Sequence, residues 1–366
     1  MTMRRLLPLL FSITCFAQTN DTALLHSRID SLFQQEIDTT GPGCAILIQR
    51  GNDILYEKSV GLADLTTKEK FTANTVSNLG SISKTFVAYG ILLLKNQGKL
   101  SLDDNILKYF PDFKNKEIAQ KVKLRHLLTH TSGLPDSRNV DSDSIFYLTA
   151  NDEQNFAPLK LTDTMEFELG TRWNYSNPAF NGLALIIENV SGMKWQKFIE
   201  ENIFRPAGMQ DSKITDGAYP SHGVAHGYRL VNGAYIEYDY GEYPTFNASG
   251  NGGVWSSIND LRKYYHAMKN ASFLDKKTIA LSQTLWRPEH WQDSLPPRNG
   301  FSWFVTEKTD TTNFLTVHHS GEQAGFTAMM MMVPETDVLL LFESNAVEHY
   351  ALYRKIEKLL RSMGQL

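Results

Sequence analysis

The spacing of hydrophobic positions changes along the chain and divides it into three parts. Residues 22–37 carry apolar side chains every three or four positions, which predicts an amphipathic helix. Two apolar runs, at 44–49 and 54–60, flank a Gly-Asn pair, which is typical of the turn in a β-hairpin. The first part is therefore predicted to contain a helix followed by two paired strands.

Helical spacing dominates the middle of the chain, and strand character returns after residue 300. Helices are predicted at 81–97, at 178–190, from 195 toward 204 and at 258–268. Strands are predicted at 301–306, 314–319, 326–333 and 338–343, and a last amphipathic helix at 347–360. Because strands lie at both ends, we predict an α/β (α+β) fold with one antiparallel sheet built from both terminal segments and flanked by helices.

The domain organisation follows from the same pattern. About 22–80 and 290–366 form the sheet-containing half, and about 81–289 form an inserted, mainly helical region. The sequence shows no internal repeat, low-complexity segment or linker. Residues 18–366 are therefore predicted to form a single domain.

Residues 1–17 have the layout of a secretory signal peptide. Arg4 and Arg5 precede a short apolar run, and Ala17 is a small residue suited to the cleavage site. The run is shorter than the ~20 residues that a membrane-spanning helix needs. We therefore expect an exported protein, periplasmic or secreted, with no integral membrane segment once the signal is removed. Thr14 disfavours lipid attachment at Cys15, because a smaller residue is expected there.

Composition excludes several classes of protein. The 366 residues are 42% hydrophobic and 21% charged, as in ordinary globular chains. The net charge of −4 argues against a nucleic-acid partner, because no basic excess is present to neutralise phosphates. The only cysteines, Cys15 and Cys44, exclude a disulfide framework and a Cys-rich zinc site. We found no motif for a metal, a nucleotide or another cofactor, and we predict none.

The segment Ser81-Ile82-Ser83-Lys84 is the strongest candidate for nucleophilic chemistry. Ser81 and Lys84 are three positions apart at the start of a predicted helix, so their side chains lie one turn apart on one face. Burial would lower the pKa of Lys84 and leave a neutral amine that can act as a base. Taken alone, the pattern is common by chance, and Ser81 could simply cap the helix.

Two other segments carry suitable side chains near the ends of predicted elements. Tyr175-Ser176-Asn177 precedes a helix and offers a phenol that can pass a proton and an amide that can bind a substrate amide. His319-Ser320-Gly321 ends a strand, where a histidine can bind a carboxylate and a glycine permits close approach of a ligand. Each segment alone could be an ordinary turn.

Together, the three segments resemble the active-site motifs of the penicillin-recognising serine hydrolases: Ser-x-x-Lys, Tyr-x-Asn and Lys/His-x-Gly. Their order and wide spacing resemble the branch that contains class C β-lactamases, D-alanyl-D-alanine carboxypeptidases, D-aminopeptidases and related esterases. Similar stretches occur at 127–135, 173–177, 186–192, 206–209 and 252–257. The resemblance extends from about residue 43 to the C-terminus and implies a β-lactamase/transpeptidase-like fold. His130 lies in one of these stretches, where we expect a structural hydrogen bond.

The resemblance implies catalytic roles for three residues. Ser81 would be the acylated nucleophile, Lys84 its activating partner and Tyr175 the proton shuttle to the leaving group. The sequence leaves open whether Lys84 or Tyr175 is the main base. The backbone N–H groups of Ser81 and Glu322 would bind the oxyanion of the tetrahedral intermediate.

The resemblance also implies a substrate-binding set. Asn177 would hold the substrate amide, and His319, followed by Ser320 and Gly321, would lie beside the substrate carboxylate. Many relatives have Lys where this chain has His319. Since an ordinary histidine is only partly charged near pH 7, we expect a weaker, pH-dependent grip on a carboxylate, which disfavours efficient β-lactam hydrolysis.

These inferences predict a serine hydrolase that forms an acyl-enzyme at Ser81. The implied substrates are small molecules or peptides: D-amino-acid peptides of cell-wall type, or related amides and esters. A β-lactamase or a carboxylesterase of the same family is the alternative. A catalytically silent ligand-binding or sensor protein is the alternative from another class, and it is disfavoured because all three motifs are intact. The sequence does not predict the oligomeric state.

Overall fold

The computed structural model describes residues 10–138, 150–214, 224–238, 249–309 and 313–366, with the backbone alone for residues 10–21. The strands are, in chain order, β1 (Cys44–Arg50), β2 (Asp53–Val60), β3 (Ser77–Asn78), β4 (Lys213–Ile214), β5 (Tyr228–Val231), β6 (Ala234–Glu237), β7 (Val254–Ser256), β8 (Phe304–Thr306), β9 (Thr316–Gln323), β10 (Phe326–Val333) and β11 (Val338–Ser344).

The main sheet confirms the predicted use of both terminal segments. Its strands are antiparallel and lie in the order β2-β1-β11-β10-β9-β8. The first strand pairs with the last, with Cys44 opposite Ser344. Two small sheets, β3-β7-β4 and β5-β6, were not predicted, because their strands are only two to four residues long.

The helices cover both faces of this sheet. They are, in chain order, α1 (Leu10–Glu36), α2 (Ser83–Asn96), α3 (Lys116–Lys121), α4 (Leu124–Leu128), α5 (Asp152–Lys160), α6 (Asn177–Ser191), α7 (Trp195–Ile199), α8 (Arg205–Ala207), α9 (Ile258–Asn270), α10 (Lys276–Ser282) and α11 (Tyr350–Ser362). Short 3₁₀ turns occur at Gly80–Ile82, Ile106–Lys108 and Val347–His349, and a π-helical turn at Glu200–Phe204. Across the described residues, none of these helices combines the length and apolar character needed to cross a membrane.

Alternation along the strands separates two hydrophobic cores. In β10, Met330 and Met332 face the core shared with α2 and the helical region, whereas Met329 and Met331 face the core under α1 and α11. All four side chains are buried, so the run of methionines fills space on a strand that is covered on both faces.

Two boundaries differ from the predictions in ways that matter for the motifs. The α-helix after the first motif begins at Ser83, because residues 80–82 form a 3₁₀ turn that contains Ser81. Strand β9 does not stop at His319 but continues to Gln323, so the third motif lies inside the strand. The turn that follows contains Gly325, which has φ +88°.

Candidate active site

Ser81 and Lys84 lie within hydrogen-bond distance of each other, as their spacing predicts. Lys84 Nζ is 3.0 Å from Ser81 Oγ. Ser81 is partly exposed, whereas Lys84 is fully buried at the start of helix α2, whose residues 83–94 are all buried. The hydroxyl is therefore accessible from outside, and the amine lies behind it.

Burial controls the charge of Lys84. It lowers the pKa of the amine well below its ordinary value, and the nearby charge of Arg138 lowers it further. The nitrogen lies 5.0 Å from the centre of the Tyr175 ring and 5.9 Å from that of Phe180. Its second hydrogen bond, of 2.7 Å, goes to the backbone carbonyl of Asn251. The site thus favours a neutral amine, one of whose two N–H groups donates to the Asn251 carbonyl.

A buried carboxyl group, not identified from the sequence, holds the loop that carries this carbonyl. Asp152 in α5 accepts hydrogen bonds from the backbone N–H of Gly250 (2.8 Å), the Asn181 amide (2.7 Å) and the Trp195 indole N–H (2.8 Å). Burial raises its pKa to about 7 despite these three donors. Asp152 therefore anchors the residue next to Asn251, the acceptor of the Lys84 hydrogen bond.

The second motif lies on a loop that His130 fixes in place. The backbone N–H of Ser176 donates to His130 Nδ1 (3.0 Å), and the N–H of Asn174 donates to the His130 carbonyl (3.0 Å). The His130 ring stacks on Tyr175 with a centroid distance of 4.4 Å. Burial lowers the pKa of His130, which keeps Nδ1 available as an acceptor. The predicted structural role of His130 is confirmed.

Ser176 also starts the helix that follows the second motif. Its hydroxyl accepts a hydrogen bond from the backbone N–H of Ala179 and so caps α6. Asn177 is the first residue of that helix and Pro178 the second, a position where its missing N–H costs no hydrogen bond. Tyr175 and Asn177 thus extend from a capped helix start, one on each side of Ser176.

His319 is almost fully buried in β9, and this changes the expectation for its charge. Burial lowers its pKa to about 3, so the ring is neutral at pH 7 instead of partly protonated. Nδ1 lies 2.6 Å from the Ser320 carbonyl oxygen, and Nε2 has no hydrogen-bond partner among the described residues. The neutral ring can contribute a hydrogen bond at the third motif but no positive charge.

Two glycines allow β9 to pass directly against the turn that contains Ser81. A Cβ atom on Gly321 would collide with the backbone carbonyl of Leu79 and would lie 2.9 Å from the backbone nitrogen of Ser81. A Cβ atom on Gly80, which has φ +49°, would lie 2.6 Å from the backbone nitrogen of Glu322. The backbones that carry the two predicted oxyanion donors are therefore in contact.

The three motifs surround one cleft of about 550 Å³. The predicted residues that line it are Ser81, Tyr175, Asn177, His319, Ser320, Gly321 and Glu322. Lys84 lies behind Ser81. Phe304 of β8 also lines the cleft. Its ring is parallel to that of Tyr175 at a centroid distance of 6.3 Å and meets the His319 ring edge-on at 5.3 Å; no sequence motif identified this residue.

The described part of the chain contains no cluster of three or more His, Cys, Asp or Glu residues that could hold a metal ion. Cys44 is buried in β1, and burial raises the pKa of its thiol, which favours the unreactive protonated form.

Comparison with known proteins agrees with this geometry. The profile of the Beta-lactamase family matches residues 29–361. The chain is 30% identical to penicillin-binding protein 4* of Bacillus subtilis over 320 residues, which cover 83% of this chain and 68% of that protein. The chain spans about two thirds of the length of the curated relatives that it matches.

Two solved structures show the same fold. An octameric penicillin-binding protein homologue from Pyrococcus abyssi superimposes with a TM-score of 0.77 at 26% identity, covering 94% of this chain and 78% of that chain. The D-amino acid amidase of Ochrobactrum anthropi, in a complex with L-phenylalanine amide, gives a TM-score of 0.75 at 22% identity, covering 93% of this chain and 98% of that chain. With its Ser-x-x-Lys pair at one cleft with the other two motifs, the chain belongs to the Beta-lactamase family of serine hydrolases.

Proposed function

We propose that the protein hydrolyses D-amino-acid peptides, amides or esters through an acyl-enzyme at Ser81. The observation that carries this proposal is the 3.0 Å contact between Ser81 Oγ and the buried Lys84 amine. A neutral amine at this distance takes the hydroxyl proton as Oγ attacks the substrate carbonyl. The backbone N–H groups of Ser81 and Glu322 stabilise the resulting oxyanion.

Collapse of the intermediate releases the leaving group. Tyr175 passes the proton from Lys84 to the leaving group. Its ring lies beside the Lys84 amine, with the ring centre 5.0 Å from the nitrogen. Water then attacks the ester carbonyl, and the acid leaves while Ser81 recovers its proton. Asn177 holds the amide of the acyl half during both steps, and β9 at His319–Gly321 holds the leaving-group half until it is released in the first step.

Two observations support D-amino-acid substrates. The Ochrobactrum anthropi protein with this fold is a D-amino acid amidase, and the Bacillus subtilis relative is a penicillin-binding protein. The neutral His319 disfavours the β-lactamase alternative, because it offers no cation for the carboxylate of a β-lactam. A carboxylesterase remains the second candidate, since an ester needs no such cation.

We further propose export through residues 1–17.

The test is covalent labelling and turnover by Ser81→Ala. We expect this variant to lose labelling by a fluorophosphonate or fluorescent penicillin probe and to lose turnover on a panel of D-Ala-D-Ala peptides, D-amino acid amides, nitrocefin and p-nitrophenyl esters. Ser83→Ala is the matched control: Ser83 is buried two residues away, and its hydroxyl accepts a hydrogen bond from the backbone N–H of Val254. Equal labelling of Ser81→Ala and wild type would refute the nucleophile. Turnover of esters alone would favour the carboxylesterase.

A further inference from the structure

A second cavity, of about 670 Å³, adjoins the catalytic cleft at strand β9. We call it the side pocket; its walls include Arg298, Phe304, His318, Tyr353, Arg354 and Arg361. Successive residues of a strand point to opposite faces, so His319 faces the cleft and His318 faces the side pocket. Helix α11 forms the outer wall and the end of β8 one edge.

The two cavities meet on the side of the leaving group. Phe304, Ser320 and Tyr350 line both of them. Phe304 also touches Tyr175, which we assign to the leaving-group proton, and His319. A substrate whose leaving half lies along β9 would therefore reach the side pocket as it passes Ser320 and Phe304.

The side pocket has a surplus of positive charge. Among the described residues, its walls contain three arginines, Arg298, Arg354 and Arg361, and two acids, Glu307 and Glu357. Glu307 is already paired with Arg287 outside the pocket. Glu357 is shared by Arg354 (2.9 Å) and Arg361 (2.8 Å), so one carboxylate faces two guanidinium groups on α11.

Its walls also contain polar groups that are not satisfied within the protein. Thr316 Oγ1, His318 Nδ1 and Tyr353 Oη are buried and have no hydrogen-bond partner in the described part of the chain. Buried polar atoms in folded proteins nearly always have partners, so these three atoms are available to a polar group that enters the cavity.

We propose that the side pocket binds a carboxylate on the side chain of the leaving amino acid. The inference rests on the proposed function. The neutral His319 provides no cation at the third motif, whereas the arginines next door provide a net positive wall at the point where the leaving group exits. Arginine suits this role because its planar donor fork matches a carboxylate. The preferred substrates are then peptides whose leaving amino acid has an acidic side chain.

The experiment compares two peptides that differ by one charge. The substrates are acetyl-D-Ala-D-Glu and acetyl-D-Ala-D-Gln, which have the same leaving-group length and the same terminal carboxylate. We expect wild type to cleave the glutamate peptide with a kcat/KM at least about tenfold higher, as for a charge-assisted contact. Arg361→Gln and Arg298→Gln should each bring the ratio of the two kcat/KM values toward one. High salt should also reduce the ratio.

Lys358→Gln is the matched control, because it removes one positive charge from an exposed position of the same helix outside the pocket. We expect it to keep the wild-type ratio, and unfolding curves check that each variant folds. A wild-type ratio near one, or an equal fall in all three variants, would overturn the proposal while Ser81-dependent cleavage still supported the proposed function. Cleavage of neither peptide would also overturn it; Ser81-dependent ester hydrolysis would then keep the hydrolase assignment intact.

Discussion

The buried carboxyl group of Asp152 makes the stability of the protein depend on pH in a predictable direction. Its pKa is raised from an ordinary 3.8 to about 7 in the folded protein. A raised pKa means that the folded state binds the proton more tightly than the unfolded chain. The contribution to stability is therefore complete below about pH 4 and is lost as the pH rises through 7.

The size of the effect follows from the same values. Each pKa unit corresponds to about 1.4 kcal/mol, so the rise to about 7 removes about 4 kcal/mol of unfolding free energy between low pH and pH 8. Between pH 5 and pH 8, where unfolding is convenient to measure, about 2 to 3 kcal/mol of this is expected. Asp152→Asn removes the titration. The amide NH₂ of the new asparagine also faces the Trp195 N–H, which is another donor. The loss of stability from this contact is the same at every pH.

The assay is urea unfolding of wild type and Asp152→Asn at half-unit steps from pH 5 to pH 8. The unfolding free energy of wild type should fall with pH by about 2 to 3 kcal/mol more than that of the variant. Asp112→Asn is the control: Lys160 holds the pKa of that exposed carboxyl below its usual range, so the group stays ionised from pH 5 to pH 8 and the curve of this variant should run parallel to that of wild type. Parallel curves for wild type and Asp152→Asn would refute the reasoning.

Three further predictions concern the catalytic cleft. Lys84→Gln should lower the rate of Ser81 acylation by about 10²- to 10⁴-fold in stopped-flow assays, the usual range for a lost general base; a near-normal rate would assign the base elsewhere. Gly321→Ala should abolish acylation and lower the melting temperature, because its methyl group would meet the Leu79 carbonyl, whereas Gly41→Ala, which makes contacts of 3.4 Å or longer, should be mild. Because His319 has a pKa of about 3, KM for a carboxylate peptide should be flat between pH 5.5 and 8, and a rise with a midpoint near 6.5 would contradict its neutrality.

The parts of the site that sequence predicts well are those governed by local geometry. Ser81 and Lys84 are brought together by the periodicity of one helical turn, and the capped start of α6 follows from Ser176 and Pro178. The order of strands and helices was predicted because apolar spacing follows the period of each element. Element ends were less accurate: β9 extends four residues beyond the predicted end, through the third motif.

What the sequence could not predict depends on contacts between distant segments. The Asn251 carbonyl that receives the Lys84 hydrogen bond is 167 positions away in the chain, and a backbone acceptor has no residue-type signal. Asp152 lies in helix α5, for which the sequence analysis predicts no separate element. The sequence predicts that His319 is partly charged near pH 7, as an ordinary histidine is. Its burial, which only the folded structure reveals, lowers its pKa and keeps it neutral.

The pairing of β1 with β11 constrains how the protein can fold. Cys44 and Ser344 are brought opposite each other across 300 positions of chain, so the centre of the sheet has a high contact order. Closing so long a loop costs conformational entropy before the strand pairing repays it, which predicts slow folding. Until β11 has been synthesised, β1 is an apolar strand with an unpaired edge, which is prone to associate with other chains. Truncation just before Val338, which removes β11, should therefore cause aggregation, even though every catalytic motif would remain in the shortened chain.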